Sequence, residues 1–271
     1  MRSSRRATPV TLLKFGGSLI TEKTRAMTPR AAIIMSLALQ IAKIREARPL
    51  LQLVIGNGAG SFGHFQVLQH GLDKGMQKKT QRIGFAEVRD STAVLNRLVV
   101  RSLIDAGVPA IAVSPPVDFG TADPERKGWP EVVAASLKAG LVPVVYGDIV
   151  LDSRSGCRII STEQLFERLL DTLPVTGYVP DRIIHLGRVA GVLDSAGTVI
   201  PEITPDTWHS VRSFLTDIEG FDVTGGMKHK IESALEAVSS GVTTIIASGE
   251  SDNIIEQVLG NGVLSGTVIR S

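Results

Sequence analysis

Ile55-Gly56-Asn57-Gly58-Ala59-Gly60-Ser61-Phe62-Gly63-His64 decides the reading of this 271-residue chain. Four glycines fall within eight residues, directly after an apolar run at residues 50–55 that reads as a buried strand. A strand that runs into glycines presents bare backbone N–H groups, with no Cβ to obstruct an approaching anion. His64, at the end of the run, adds a titratable donor where a phosphate would sit.

Two further places share this character: Lys14-Phe15-Gly16-Gly17-Ser18 after the first strand, and Thr224-Gly225-Gly226-Met227 before a late helix. Lys14 lies inside an apolar strand, where an ammonium is costly unless it reaches an anion. Lys230 stands four residues past Gly226, one turn into the helix those glycines open. Three such loops, two with lysines, point to a site for several phosphoryl groups. No G-x-x-x-x-G-K-[ST] occurs, which excludes a P-loop. Gly58, Gly60 and Gly63 match G-x-G-x-x-G, but Asn57 and His64 suit an anion pocket at least as well as a dinucleotide fingerprint.

Outward from the motifs, strands and helices alternate. Strands are predicted at residues 10–15, 50–55, 109–113, 141–146, 182–186 and 242–247, with a hairpin over 149–160. Helices are predicted at 31–47, capped by Thr28-Pro29, and at 80–106, 161–170, 205–215 and 226–238. Val88, Leu95, Leu98, Val99 and Leu103 share one face of the long helix. Repeated βα units imply an α/β three-layer sandwich with a mostly parallel central sheet. The prolines and glycine of residues 171–180 mark the best internal boundary, giving lobes at 1–172 and 173–271 within one continuous fold. Ligands of such sheets gather at the carboxyl ends of the strands, where the glycine loops fall.

With 29 basic against 27 acidic residues, nothing suggests a nucleic-acid surface or a membrane anchor. No apolar run approaches the roughly 20 residues that span a bilayer. Cys157 is the one cysteine, which excludes an internal disulfide and fits a reducing compartment. The basic start, Met1 to Arg6, reads as a frayed tail rather than a signal peptide, and the expected location is the cytoplasm.

Together, Lys14-Phe15-Gly16-Gly17-Ser18, the run from Gly58 to His64, Tyr146-Gly147-Asp148 and Asp222-Val223-Thr224-Gly225-Gly226-Met227-x-x-Lys230 resemble the amino-acid kinase superfamily, and within it the isopentenyl phosphate kinases. The similarity runs from about residue 11 to residue 270. It implies transfer from ATP, with Mg²⁺, to isopentenyl phosphate, and a homodimer. By resemblance, Lys14 and Lys230 flank the transferred phosphoryl, and Gly16, Gly17, Ser18, Lys23, Gly187, Arg188, Asp222, Gly225 and Gly226 belong to the nucleotide side. Gly58, Ala59, Gly60, Gly63 and His64 belong to the acceptor side, with Gly147 donating its N–H to the acceptor phosphate. Asp148 either organises its turn or touches ligand. Arg82 is the best basic residue for steering an anion inward. Phe85, Ile149 and Ile160 would wall an apolar tail or simply pack in the core.

Physics supports the place given to His64. A phosphate monoester is largely dianionic near pH 7, its second pKa being about 6, and needs no general base. The obstacle is repulsion between two anions, which oriented donors and positive charge relieve. His70, His185, His209 and His229 show no comparable context.

Three departures from the family stand out. Ser161-Thr162-Glu163 replaces Ser-Gly-Asp, keeping on a longer arm the carboxylate that meets the first-strand lysine. Asn57 replaces a histidine. Arg188, Ala190 and Leu193 replace two aspartates and a tyrosine; Arg188 either takes over part of nucleotide binding, or the change marks an altered nucleotide preference or weakened ATP binding. Two rival readings remain: a kinase of a phosphonate such as fosfomycin, and a binding protein of this fold that has lost catalysis.

Overall fold

A computed structural model describes residues 7–119, 128–215, 226–260 and 264–271. The elements run β1 (Thr8–Phe15), α1 (Gly17–Ile20), α2 (Ala31–Ala47), β2 (Leu53–Asn57), α3 (Gly60–Gln69) and α4 (Gln81–Asp105). Then follow β3 (Ala110–Ala112), α5 (Trp129–Lys138), β4 (Val142–Tyr146), β5 (Asp148–Asp152), β6 (Gly156–Ile160) and α6 (Thr162–Thr172). The chain closes with β7 (Tyr178–Gly187), β8 (Glu202–Ile203), α7 (Pro205–Leu215), α8 (Gly226–Ser239), β9 (Thr243–Ser248), α9 (Ile254–Leu259) and β10 (Gly266–Ile269).

Eight strands form one sheet in the order β3-β4-β2-β1-β7-β9-β10-β8, parallel except for the β10–β9 pair. The centre is β1, whose last six residues are buried; it pairs with β2 on one side and β7 on the other. Period-2 alternation divides β1 between two cores. Leu13 and Phe15 join the layer of α2, α4 and α9, while Val10 and Leu12 join that of α5 and α6. A third cluster lies among α7, α8 and β10. The β5–β6 hairpin stands apart as a two-stranded antiparallel sheet, packed through Ile149 and Cys157 against Val67 and Val88 of α3 and α4. The three-layer α/β architecture is as the alternation of elements predicts.

Several boundaries move. β2 begins at Leu53, because the preceding residues turn and leave Leu50 88% exposed. Thr28-Pro29 does not cap α2; Pro29 bridges to Thr21 and Arg30 takes the cap position. Leu98 faces outward on α4. The glycine run is also less of a loop than it reads, since α3 starts at Gly60 and carries His64 inside it. No helix among the described residues is long and apolar enough to cross a membrane.

Candidate active site

The first two glycine turns interlock. A Cβ on Gly17 would lie 2.5 Å from the Gly60 nitrogen, and one on Gly58 would lie 2.7 Å from the Gly17 nitrogen. Gly60 also takes a φ of +49° and packs against Thr21, so a side chain there would be both strained and obstructed. The turns are pinned to strand ends: Gly16 N–H donates to the Leu186 carbonyl at 2.8 Å, and Gly58 N–H to the Phe15 carbonyl at 2.9 Å. The N–H groups of Gly17, Ser18, Ala59 and Gly60 have no acceptor among the described residues. Two short stretches of backbone, Gly17-Ser18 and Ala59-Gly60, thus place unused donors side by side at the carboxyl ends of β1 and β2.

Lys14 points to the other face of the sheet, toward α6. Ser161 caps that helix through a reciprocal pair with Gln164, and Gly56, lacking a side chain, lets Thr162 and Phe166 close on β2. Glu163 is thereby held in the first turn, where its Oε1 accepts from Lys14 Nζ at 2.5 Å. Lys14 is 8% exposed. Burial alone would raise the Glu163 pKa, but the Lys14 charge and hydrogen bond outweigh it and hold the carboxyl at about 2. The longer arm of glutamate therefore keeps the contact with the lysine.

His185 is the residue the sequence reading passed over. The register pairs it with Lys14 across β1 and β7. Its pKa is pushed down to about 3, first by burial and then by the charges of Lys14 and Lys230, against the pull of Glu163. The imidazole is neutral, and those three charges lie near it. The signal was in the sequence: a polar residue inside the apolar strand Ile183-Ile184-His185-Leu186, the criterion that singled out Lys14. Lys230, half-buried in the first turns of α8, joins Lys14 and Glu163 through this neighbour.

Gly226 opens α8, while Asp222 and Gly225 lie outside the described residues. His64 is exposed on α3, and Lys23 and Arg82 are exposed as well. Arg188 follows Gly187 at the end of β7, and its Nε stands 3.6 Å from Glu250 Oε1, which Arg30 Nη1 approaches at 2.5 Å.

Two acceptor-side expectations change. The Gly147 N–H is already taken, donating to the Asn57 carbonyl at 3.1 Å, because β4 and β2 run together to their last residues. Asp148 is 2% exposed; its Oδ1 accepts from Thr92 Oγ1 and Ile149 N–H, both at 2.8 Å, and its Oδ2 lies 3.1 Å from Arg89 Nη1. That is the geometry of a turn organiser. Burial pushes its pKa up to about 6, with Arg89, Thr92 and the Ile149 N–H opposing the rise. Ile149 and Ile160 are buried in two different clusters, while Phe85 stays half-buried beside the first of them.

The model of the amino acid kinase family matches residues 9–248. The chain belongs to the amino acid kinase family. Within it, the chain is 33% identical over 274 residues to the isopentenyl phosphate kinase of Methanothermobacter thermautotrophicus, covering 95% of this chain and 98% of that one. It is 33% identical over 217 residues to the isopentenyl phosphate kinase of Arabidopsis thaliana, covering 72% of this chain and 64% of that protein. The crystal structure of the T. acidophilum isopentenyl phosphate kinase product complex superposes with a TM-score of 0.73 at 25% identity, over 96% of this chain and all of that one.

Proposed function

We propose that this protein phosphorylates isopentenyl phosphate, with ATP as donor, giving isopentenyl diphosphate and ADP. The observation that carries the reading is the Lys14–Glu163 pair standing by the interlocked glycine turns, in a chain whose full-length relatives are kinases of this acceptor. An oxygen of the acceptor phosphate attacks the terminal phosphorus of ATP. The new P–O bond forms as the bond to the bridging oxygen breaks, and that oxygen leaves with ADP.

In this reading Lys14 and Lys230 face the transferring phosphoryl, and Glu163 positions Lys14. The N–H groups of Gly17, Ser18, Ala59 and Gly60 receive phosphate oxygens, and His64 holds the acceptor. Residues 1–172 bind the acceptor, and 173–271 bind the nucleotide. Among the described residues no group of three or more His, Cys, Asp or Glu side chains could hold a metal ion. Mg²⁺ would come as a partner of the nucleotide, where it would lower the charge of the triphosphate. A cytoplasmic homodimer completes the proposal.

The test is ADP release, measured with ATP and Mg²⁺ in the presence of isopentenyl phosphate, of fosfomycin, or of neither. Release that requires isopentenyl phosphate is the expected result. Release with fosfomycin instead reassigns the acceptor, and no release with either means a binding protein.

A further inference from the structure

Among the buried side-chain atoms without a hydrogen bond are His70 Nε2, Trp129 Nε1, Asp148 Oδ2, His185 Nδ1 and Thr244 Oγ1. Two of these have ionic partners: His70 lies against Glu87, and Asp148 against Arg89. Trp129 sits in the α5 layer, and Thr244 is paired in the sheet opposite Ile183. His185 is different in kind, because it is an unsatisfied polar side chain beside Lys14 and Glu163. A structural histidine ordinarily bonds a backbone carbonyl through one of its nitrogens, and neither nitrogen of His185 does so among the described residues.

We propose that His185 contacts the nucleotide polyphosphate, its neutral imidazole donating a hydrogen bond from Nε2 to the phosphoryl group that Lys14 and Lys230 attract. The inference rests on the kinase reading above and adds a residue to it. Parallel neighbours in register send their side chains to the same face of the sheet, which places the ring next to the Lys14 ammonium. Neither ring nitrogen bonds another described residue, and of the two only Nδ1 is fully covered, so Nε2 keeps access to a ligand.

The charges explain why a histidine serves here. The groups that face the ring are Lys14 from β1, Glu163 from α6 and Lys230 from α8. Between two ammonium groups the ring holds no proton of its own to add a third positive charge. A neutral imidazole still offers one donor and one acceptor. The proposal places the hydrogen on Nε2, the nitrogen that is not fully covered, and leaves Nδ1 as the lone-pair nitrogen. A lysine at this position would raise the repulsion among the site's cations before nucleotide binds. A phenylalanine would fill the same space and donate nothing.

The proposal predicts that His185→Phe lowers kcat by roughly 10²-fold, the usual loss for one donor to a transition-state oxygen. The KM for the acceptor should be unchanged, and the thermal midpoint should stay near that of the parent. His185→Gln, which carries an amide N–H to about the same distance, should recover most of the rate. On the unmodified protein, ¹⁵N-histidine spectra should show a neutral His185 whose Nε2 signal moves when a non-hydrolysable ATP analogue binds with Mg²⁺. A Phe variant with parental kcat, or an Nε2 signal indifferent to bound nucleotide, overturns the proposal and leaves the kinase reading intact. A Phe variant that loses thermal stability but not rate also overturns it, since that is the mark of a packing residue. A protein that binds no nucleotide by calorimetry overturns both readings together.

Discussion

Lys14 and Glu163 stand 149 residues apart in sequence and 2.5 Å apart in space. Desolvating an ammonium and a carboxylate is costly, and the pair offsets that cost only while both partners are present. A buried ion pair at the mouth of the proposed phosphate site would hold the lysine ready, because an arriving triphosphate would meet an ammonium already in place. His64 differs in that its exposed ring lies on α3, so truncating it removes little packing. His64→Ala is expected to keep the parental thermal midpoint while losing roughly 10²–10³ in rate, as for one transition-state donor; ADP release under saturating isopentenyl phosphate measures this. Arg188 sits with Glu250 at the end of β7, on the side proposed for the nucleotide, and is half-exposed, so the pair itself contributes little to stability. Arg188→Ala should raise the KM for ATP several-fold and leave the KM for isopentenyl phosphate unchanged. An unchanged KM for ATP would return Arg188 to the role of a surface arginine.

The interlocked glycine turns act as one element, because neither can shift without moving the other's donors. Gly17→Ala forces a methyl to 2.5 Å from the Gly60 nitrogen, an overpacking that costs about 1–3 kcal/mol and displaces the N–H groups of both turns. Turnover is expected to disappear. Gly107→Ala is the control: it strains a φ of +87° by about 1–2 kcal/mol with nothing within 4 Å of the added carbon, and should lower the thermal midpoint while leaving turnover intact. Legibility followed the same physics. Lys14, the glycine runs and the hairpin could be read because each breaks an otherwise apolar pattern at a place where backbone must be bare or turn. The start of β2 could not, since Leu50 is as apolar as Leu53 and only the turn before it decides which is buried. The helical state of residues 60–69 was hidden because glycine disfavours helix locally, and contact with Gly17 overrides that propensity. Helices α1 and α9 and strands β8 and β10 are short, and their patterns are too brief to separate from loop. His185 carries the same mark as Lys14, a polar residue in an apolar strand, but only the register of β1 and β7 shows that the two lie side by side.

For the whole molecule, three buried titrations of opposite sign shape acid stability. Glu163 sits at about 2 against an ordinary 4.5, so its contribution is complete above 4.5 and is lost as pH falls toward 2. His185 sits at about 3 against 6.5, so its contribution is complete above 6.5 and is lost as pH falls toward 3. Asp148 runs the other way, at about 6 against 3.8: it favours the fold below 3.8 and loses that contribution as pH rises through 6. Acidification from pH 6 to 4.5 should therefore change stability little, as His185 and Asp148 oppose each other, and stability should fall steeply below 4.5. Urea midpoints across this range test the balance. Asp148→Asn should tilt the flat segment downward on acidification, and Glu163→Gln should soften the final drop.

The central place of β1 also carries a consequence for biosynthesis. On the ribosome β2 follows β1 within about 50 residues, but β7 is roughly 170 residues behind. At about 5–20 residues per second, a nascent chain carries one unpaired edge of its central strand for on the order of ten to thirty seconds. An open edge of that kind templates pairing with other chains. A chain ended at residue 172 would hold that edge open for good, and light scattering should find it associated rather than monomeric. A dispersed, folded fragment would mean that the first half shields β1 by itself. In the cell, the interval before β7 arrives is the window in which a chaperone that binds extended apolar segments has most to protect.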